Sequence, residues 1–309
     1  TPLYSSAASD VYKRQFVYLH PDRQGEIGVS IMRLRGWRKV AFFGLCGVIL
    51  VWTVFPVYYM VTLSLVKEED LFKPSLYVAR PTIENYVMTI QQSNYLVSEF
   101  RIQLYNSVGI ALLTTVAVLI VGTLGSFALA RIQFRGSRLI SSMTLFTYII
   151  PSSFLSIPFF KLMADYNLLG TKLSVVLAMI TFASPYALWI LWDYGKTVPP
   201  EIDEAAAIDG ASTLALFFRI YLPLILPPMV AIATYAFLYS WNEYLYAVLF
   251  LSGETNITIP VAMGNFLATD NPPWNLLMAE SVLYSIPPVI LYYCFRRHLL
   301  GGLVTGAVK

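Results

Sequence analysis

Residues 40–66 read VAFFGLCGVILVWTVFPVYYMVTLSLV, 27 consecutive positions without one charged side chain. As a helix this run reaches about 40 Å at 1.5 Å per residue, longer than the roughly 30 Å hydrocarbon core of a bilayer. A surface helix of a soluble protein keeps a polar stripe for water, and this run has none to offer. Only an apolar solvent suits it on every side. Five further runs repeat the pattern at 104–130, 139–162, 173–192, 223–251 and 276–295. The fold class expected is therefore all-α and integral to a membrane, with six transmembrane helices. Pro56, Pro151, Pro158, Pro185, Pro287 and Pro288 fall inside these runs. Spanning helices tolerate proline where neighbouring groups take up the freed carbonyls. Gly122 and Gly125, with Ala128, offer a small-residue face for close helix contact.

Composition agrees. Of 309 residues 57% are hydrophobic and 13% charged, against about 25% charged in a soluble domain. Mean hydropathy is +0.63. The net charge of +3 is too small and too dispersed to point to nucleic acid. Residues 1–38 form a non-core segment: their opening TPLYSSAASDVYKRQ has no amphipathic period and no signal-peptide core, and it resembles translated linker sequence. The membrane domain is 39–309.

Several chemistries are missing from the sequence. It has no GxxxxGK[ST] and no GxGxxG, so nothing in it cradles a nucleotide phosphate. Any nucleotide energy must come from another polypeptide, and the chain is expected to be a transport subunit rather than an enzyme. Cys46 and Cys294 lie in apolar runs and are expected as buried thiols. His20 and His298 are the only histidines, with no metal-ligand spacing, so neither a metal nor a cofactor is expected in this chain.

Basic residues set the orientation. Arg33, Arg35, Arg38 and Lys39 precede the first run, and Arg131, Arg135 and Arg138 crowd the loop between the second and third. Lys196 and Arg219 fall between the fourth and fifth, and Arg296 and Arg297 follow the last. The opposite side has Lys67, Lys73, Arg80 and Arg101 in a long acidic-rich segment and Lys172 in a short loop, while 252–275 has no basic residue. Both termini are expected in the cytoplasm.

Between the fourth and fifth runs lies TVPPEIDEAAAIDGASTLALFFRIYLP, residues 197–223. Thr197 can cap a helix start, and Pro199 and Pro200 suit a first turn. Glu201, Asp203 and Glu204 complement the helix dipole there. Ala205, Ala206 and Ala207 favour helix with little bulk. After Asp209, Gly210 can take the left-handed conformation that ends the helix. Ser212 can cap a second helix carrying Leu214, Phe217 and Phe218. A helix-turn-helix at the membrane surface is expected over 197–222. By periodicity alone it could be either a linker or a docking element for a soluble partner.

Glu204-Ala205-Ala206, then three residues, Gly210, nine residues, and Ile220-Tyr221-Leu222-Pro223 match the EAA motif at every fixed position. From about residue 40 to the end the chain resembles the permeases of binding-protein-dependent ABC importers, in particular the MalG-like permeases of carbohydrate importers. Trp241-Asn242-Glu243-Tyr244 and the tail from Gly302 to Lys309 carry the same resemblance. It implies a coupling loop docked in the cleft of an ATPase subunit, Glu204 meeting a basic residue, and ATP with Mg bound by that partner. It further implies a second homologous permease, an extracytoplasmic sugar-binding protein, a sugar substrate and a bacterial-type inner membrane. The loop 252–275 would reach toward the binding protein and the tail toward the ATPase pair.

Polar groups within the runs are the candidates for the substrate pathway. Trp241, Asn242, Glu243 and Tyr244 combine a stacking face with hydrogen-bonding tips, or else serve packing and the outer interface. Tyr148, Ser152 and Ser153 flank Pro151 and can soften the helix around a cavity, or else serve packing alone. Glu280, a departure from the family pattern, is expected either at the interface, the preferred reading, or as the mark of a particular substrate. Two rival readings use Glu243 and Glu280: a proton-coupled secondary transporter, which calls for internal repeats, and an intramembrane enzyme with an acid–base pair. Neither gives the EAA loop a role.

Overall fold

The structure, a computed structural model, describes residues 36–73, 77–132 and 136–306, and of residues 138, 141, 145, 148 and 297–306 the backbone alone. The start of the N-terminal segment, with Arg33 and Arg35, lies outside the described residues, as do Arg135 and the last three residues of the tail. Among the described residues every regular element is helical: α1 (Trp37–Ser64), α2 (Glu84–Gln91), α3 (Phe100–Arg131), α4 (Ser137–Phe146), α5 (Ser156–Asp165) and α6 (Lys172–Gly195). There follow α7 (Pro200–Ile208), α8 (Thr213–Leu224), α9 (Leu226–Trp241), α10 (Leu245–Phe250), α11 (Ile259–Leu267) and α12 (Trp274–Gly306). By length and composition, four helices can cross a membrane: α1, the segment Tyr95–Arg131 that contains α3, α6, and α12 through Arg296. The pair α8 and α9, bent by 77°, makes a fifth if taken as one span.

The chain divides into two compact units, with the boundary after Tyr59 in α1. In the first, Phe55 and Tyr59 stack along the helix with ring centroids 6.1 Å apart. Thr53 returns its hydroxyl to the Ile49 carbonyl at 2.9 Å, so this donor is satisfied without water.

The second unit is built on α3 packed along α6. Gly122 and Gly125 lie at that contact: a Cβ on Gly122 would stand 3.1 Å from Ala187 Cβ, and one on Gly125 would meet Leu188 Cδ1 at 2.5 Å. Glycine here sets how closely the two backbones approach. One core cluster gathers Val118, Phe127, Ala187, Leu191 and Tyr221 toward the 197–223 end of these helices. Another gathers Met179, Tyr246, Phe250 and Val261 toward the opposite end. A third joins Phe100, Ile259, Phe266 and Leu276. Polar groups inside are paired across elements. Ser240 donates to the Thr114 hydroxyl at 3.2 Å. Asn85 donates to the carbonyls of Ser64 and Val66 at 2.8 and 2.9 Å, satisfying the open end of α1.

Three expectations are corrected. The run 139–162 is not one helix. Ile150 is extended (φ −88°, ψ 114°) ahead of Pro151, and two ten-residue helices, α4 and α5, flank short 3-10 turns. Proline disfavours the helical region for the residue before it and removes a donor, and here both effects break the chain. The run 223–251 is also interrupted. Ile225 leaves helical geometry just before Leu226, Pro227 and Pro228 open α9, and the helix stops at Trp241 before α10 begins at Leu245. Finally, Cys46 and Cys294 are exposed rather than buried, which costs little where the surrounding solvent is itself apolar.

Candidate functional site

The segment after α6 folds as two short helices joined by a glycine turn. Pro199 and Pro200 occupy the N-cap and first position of α7, with Glu201 and Asp203 in its first turn. Thr197 does not cap this helix: its hydroxyl donates to the Tyr194 carbonyl at 2.7 Å and closes the end of α6 instead. That carbonyl is an open helix-end acceptor, whereas Pro199 and Pro200 leave no N–H at the start of α7 for Thr197 to cap. At the other end Asp209 is the C-cap and Gly210 has φ +83°. The Gly210 N–H donates to the Ala207 carbonyl at 3.0 Å and the Ala211 N–H to the Ala206 carbonyl at 2.9 Å. Those two bonds form a Schellman motif, and the left-handed residue in it is the glycine. Ser212 accepts the Ala215 N–H at 3.3 Å and caps α8.

α8 then widens through a π turn at Phe217–Tyr221. Phe217 and Tyr221 are buried against Phe127 at ring-centroid distances of 5.3 and 5.2 Å. The motif residues Ile220 and Leu222 are half-buried, while Pro223 is exposed. On α7, Glu201, Glu204, Ala205 and Ala207 are exposed, and Ile208 is 87% exposed. Asp203 and Ala206 face inward. An open groove of about 620 Å³ runs from the glycine turn along α8, lined by Asp209, Gly210, Ala215, Phe218 and Arg219 among others.

One contact in this region has no sequence precursor. Arg131 Nε lies 2.6 Å from Asp203 Oδ2, an ion pair without the alignment of a hydrogen bond, and both side chains are mostly enclosed. Arg131 Nη2 also donates to the Val198 carbonyl at 3.2 Å. Its guanidinium stands 5.6 Å from the Tyr221 ring centre. Arg131 had stood out only as one of the basic residues near a loop, and Asp203 only as a charge on a helix dipole.

The residues 241–244 do not form one lumen-facing cluster. Trp241 is 2% exposed, with Phe237 and Tyr284 stacked on it at 5.4 and 4.8 Å. Neither ring face is free for a ligand in this conformation, because the helix break at 242 turns the chain only after Trp241. Asn242 is exposed and donates to the Leu238 carbonyl at 2.9 Å. Glu243 accepts the Tyr246 N–H at 2.7 Å and thereby caps α10. Tyr244 is 47% exposed and lines an apolar cleft of about 620 Å³ with Pro260, Met263 and Leu267. Ser152 comes into the same region, its carbonyl accepting the Tyr246 hydroxyl at 2.7 Å. The side chain of Tyr148 lies outside the described residues.

Glu280 is fully buried, and neither carboxylate oxygen has a hydrogen-bond partner among the described residues. It shares no hydrogen bond with Glu243. Among the described residues no group of three or more His, Cys, Asp or Glu side chains could hold a metal ion.

Comparison with known proteins places this arrangement. Residues 122–303 match the family described as the binding-protein-dependent transport system inner membrane component. The chain is 31% identical over 273 residues to the inner membrane ABC transporter permease protein YcjP of Escherichia coli, covering 88% of this chain and 96% of that one. It is 30% identical to the trehalose transport system permease protein SugB of Mycobacterium tuberculosis, covering 89% and 99%. To the trehalose/maltose transport system permease protein MalG of Thermococcus litoralis it is 31% identical, covering 83% and 91%. Its fold is similar to a chain in the crystal structure of a bacterial ABC transporter involved in the import of the acidic polysaccharide alginate, with a TM-score of 0.71 at 21% identity over 84% of this chain and 95% of that one. The chain therefore belongs to the family of inner membrane components of binding-protein-dependent transport systems.

Proposed function

We propose that this chain is the permease subunit of an ATP-binding cassette importer and forms half of a pathway for a sugar or oligosaccharide, worked by alternating access. The observation that carries the reading is α7. A short helix of small residues is held out from the bundle by a Schellman turn, with Glu204, Ala205 and Ile208 open to a soluble partner. α7 is the coupling helix, and a separate ATPase subunit supplies the cleft, the ATP and the Mg. The bundle then has six crossings, with α4 and α5 as a broken third and α8 and α9 as a bent fifth. Basic loop residues put the 197–223 end and both termini in the cytoplasm. A second homologous permease and an extracytoplasmic sugar-binding protein complete the assembly. Relatives named for trehalose, maltose and arabinooligosaccharide transport support the carbohydrate class. Asn242, Tyr244 and Ser152 are the groups proposed to border the pathway, with Trp241 and Glu243 shaping the break that presents them.

Glu204→Lys tests the docking. It reverses a charge on an exposed face outside every span, so insertion is expected to be normal while the ATPase subunit is lost on mild detergent purification. Wild-type recovery of the ATPase together with normal uptake would reduce the loop to a linker.

A further inference from the structure

We propose that α3 is the lever through which the coupling loop works the opposite face of the membrane, and that Arg131 is the positioning residue that couples the two. The inference rests on reading 197–222 as the ATPase-coupling loop. At one end of α3, Arg131 is its last residue, where a cation also complements the helix dipole. Its guanidinium joins four segments: the end of α3, Val198 in the connector after α6, Asp203 in the first turn of α7, and the ring of Tyr221 in the π turn of α8. The Tyr221 hydroxyl in turn donates to Ser126 Oγ, one turn back on α3, at 3.2 Å. Its ring closes against Gly195, where an added Cβ would collide with it. Asp203 Oδ1 has no hydrogen-bond partner among the described residues, so Arg131 is what holds this enclosed carboxylate. A displacement of α7 that kept Asp203 from following Arg131 would strand a charge away from water, and the two helices are therefore expected to move together.

The other end of α3 grips a different loop. Gln103 donates to the Glu254 carbonyl at 3.1 Å, and Asn106 to the carbonyls of Thr255 and Ile257 at 3.1 and 2.9 Å. Ser107 accepts the Ile259 N–H at 3.0 Å. All three side chains are buried, so these bonds fix segment 254–259 to the helix rather than decorate its surface. α3, which carries both grips, runs 32 residues with no proline, whereas α1, α6 and α12 each contain at least one. Its Gly125-Ser126 step, the other usual place for a kink, is packed on Leu188 and bonded by the Tyr221 hydroxyl, so α3 transmits a push or a tilt along its length. Segment 254–259 leads directly into α11, so the lever ends on the face opposite the coupling loop.

The test uses the assembled importer in liposomes, with Cys46 and Cys294 replaced by serine and a fluorophore on Thr255→Cys. ATP with vanadate traps the ATPase pair, and the label, ATPase content, hydrolysis and uptake are read together. In the otherwise wild-type complex the label is expected to shift on trapping; no shift there overturns the proposal whatever the variants do. Arg131→Ala and Asp203→Ala are expected to retain the ATPase and to hydrolyse ATP. Sugar moved per ATP should fall by about 5-fold or more, the range of an ordinary coupling energy, and the label response should be lost. The pair Arg131→Asp with Asp203→Arg is expected to recover both, which a merely structural role for either residue would not require. Wild-type stoichiometry and label response in the single variants overturns the lever, and so does a swapped pair that assembles but stays uncoupled. Failure of the underlying coupling-loop reading looks different: Glu204→Lys would then keep the ATPase and normal uptake.

Discussion

Replacing Gly210 by valine changes the allowed backbone at one position and little else. An added Cβ there meets nothing within 4 Å, so the side chain has room. What it lacks is the torsion: φ is +83°, a region that costs an ordinary L-residue roughly 1–2 kcal/mol and is less accessible still to a β-branched one. If the turn gives way, the two Schellman bonds from Gly210 and Ala211 go with it, at about 0.5–1.5 kcal/mol each. A deficit of one or two kcal/mol is a factor of about 5–30 in the population that presents α7 correctly. Gly210→Asn is the control, since asparagine enters the left-handed region far more readily. The assay is co-purified ATPase and ATP-dependent uptake in the same preparations. Valine is expected to lower both several-fold while asparagine stays near wild type. Equal, normal values for valine and asparagine would refute the argument that the left-handed turn presents the helix.

Two other outcomes follow from the structure. Trp241→Ala should destabilise the subunit by about 3–5 kcal/mol, as for other buried tryptophans, seen as a lower thermal transition in detergent. Asn242→Ala, at an exposed site, should leave that transition within about 0.5 kcal/mol and change uptake or sugar preference instead. Single cysteines at Ser137 and Thr197, in a background without the native thiols, should be shielded from impermeant thiol reagents in intact cells, while one at Asn256 should label. The reverse pattern would invert the topology.

What could be foreseen from sequence was local. Gly210, Ser212 and the alanines of α7 act through bonds spanning three to five residues, so their roles follow from spacing alone. The close contact at Gly122 and Gly125 was visible for the same reason, as small residues on one helix. Thr197 was misjudged because two local acceptor or donor sets competed for it, and the carbonyl of Tyr194 won over a helix start without free N–H groups. Pro151 and the Pro227-Pro228 pair were visible, but whether a proline bends or breaks a span depends on neighbours that a linear reading does not contain. That Trp241 is buried with Phe237 and Tyr284 stacked on it depends on packing against a helix distant in sequence, which composition cannot show. Arg131 and Asp203 could not be paired in advance: they sit on different helices, and the packing of α3 along α6, which α7 follows, brings them within 2.6 Å.

The central claim, that a partner ATPase drives this permease through α7, is tested most directly by uptake. The purified complex of this chain with its partner permease, ATPase and binding protein is placed in sealed liposomes, and accumulation of labelled sugar is followed with ATP supplied to the ATPase side, with and without a proton uncoupler. Accumulation that requires ATP, persists with the uncoupler and disappears in Glu204→Lys is the expected result. Accumulation without ATP that collapses on adding the uncoupler would contradict it.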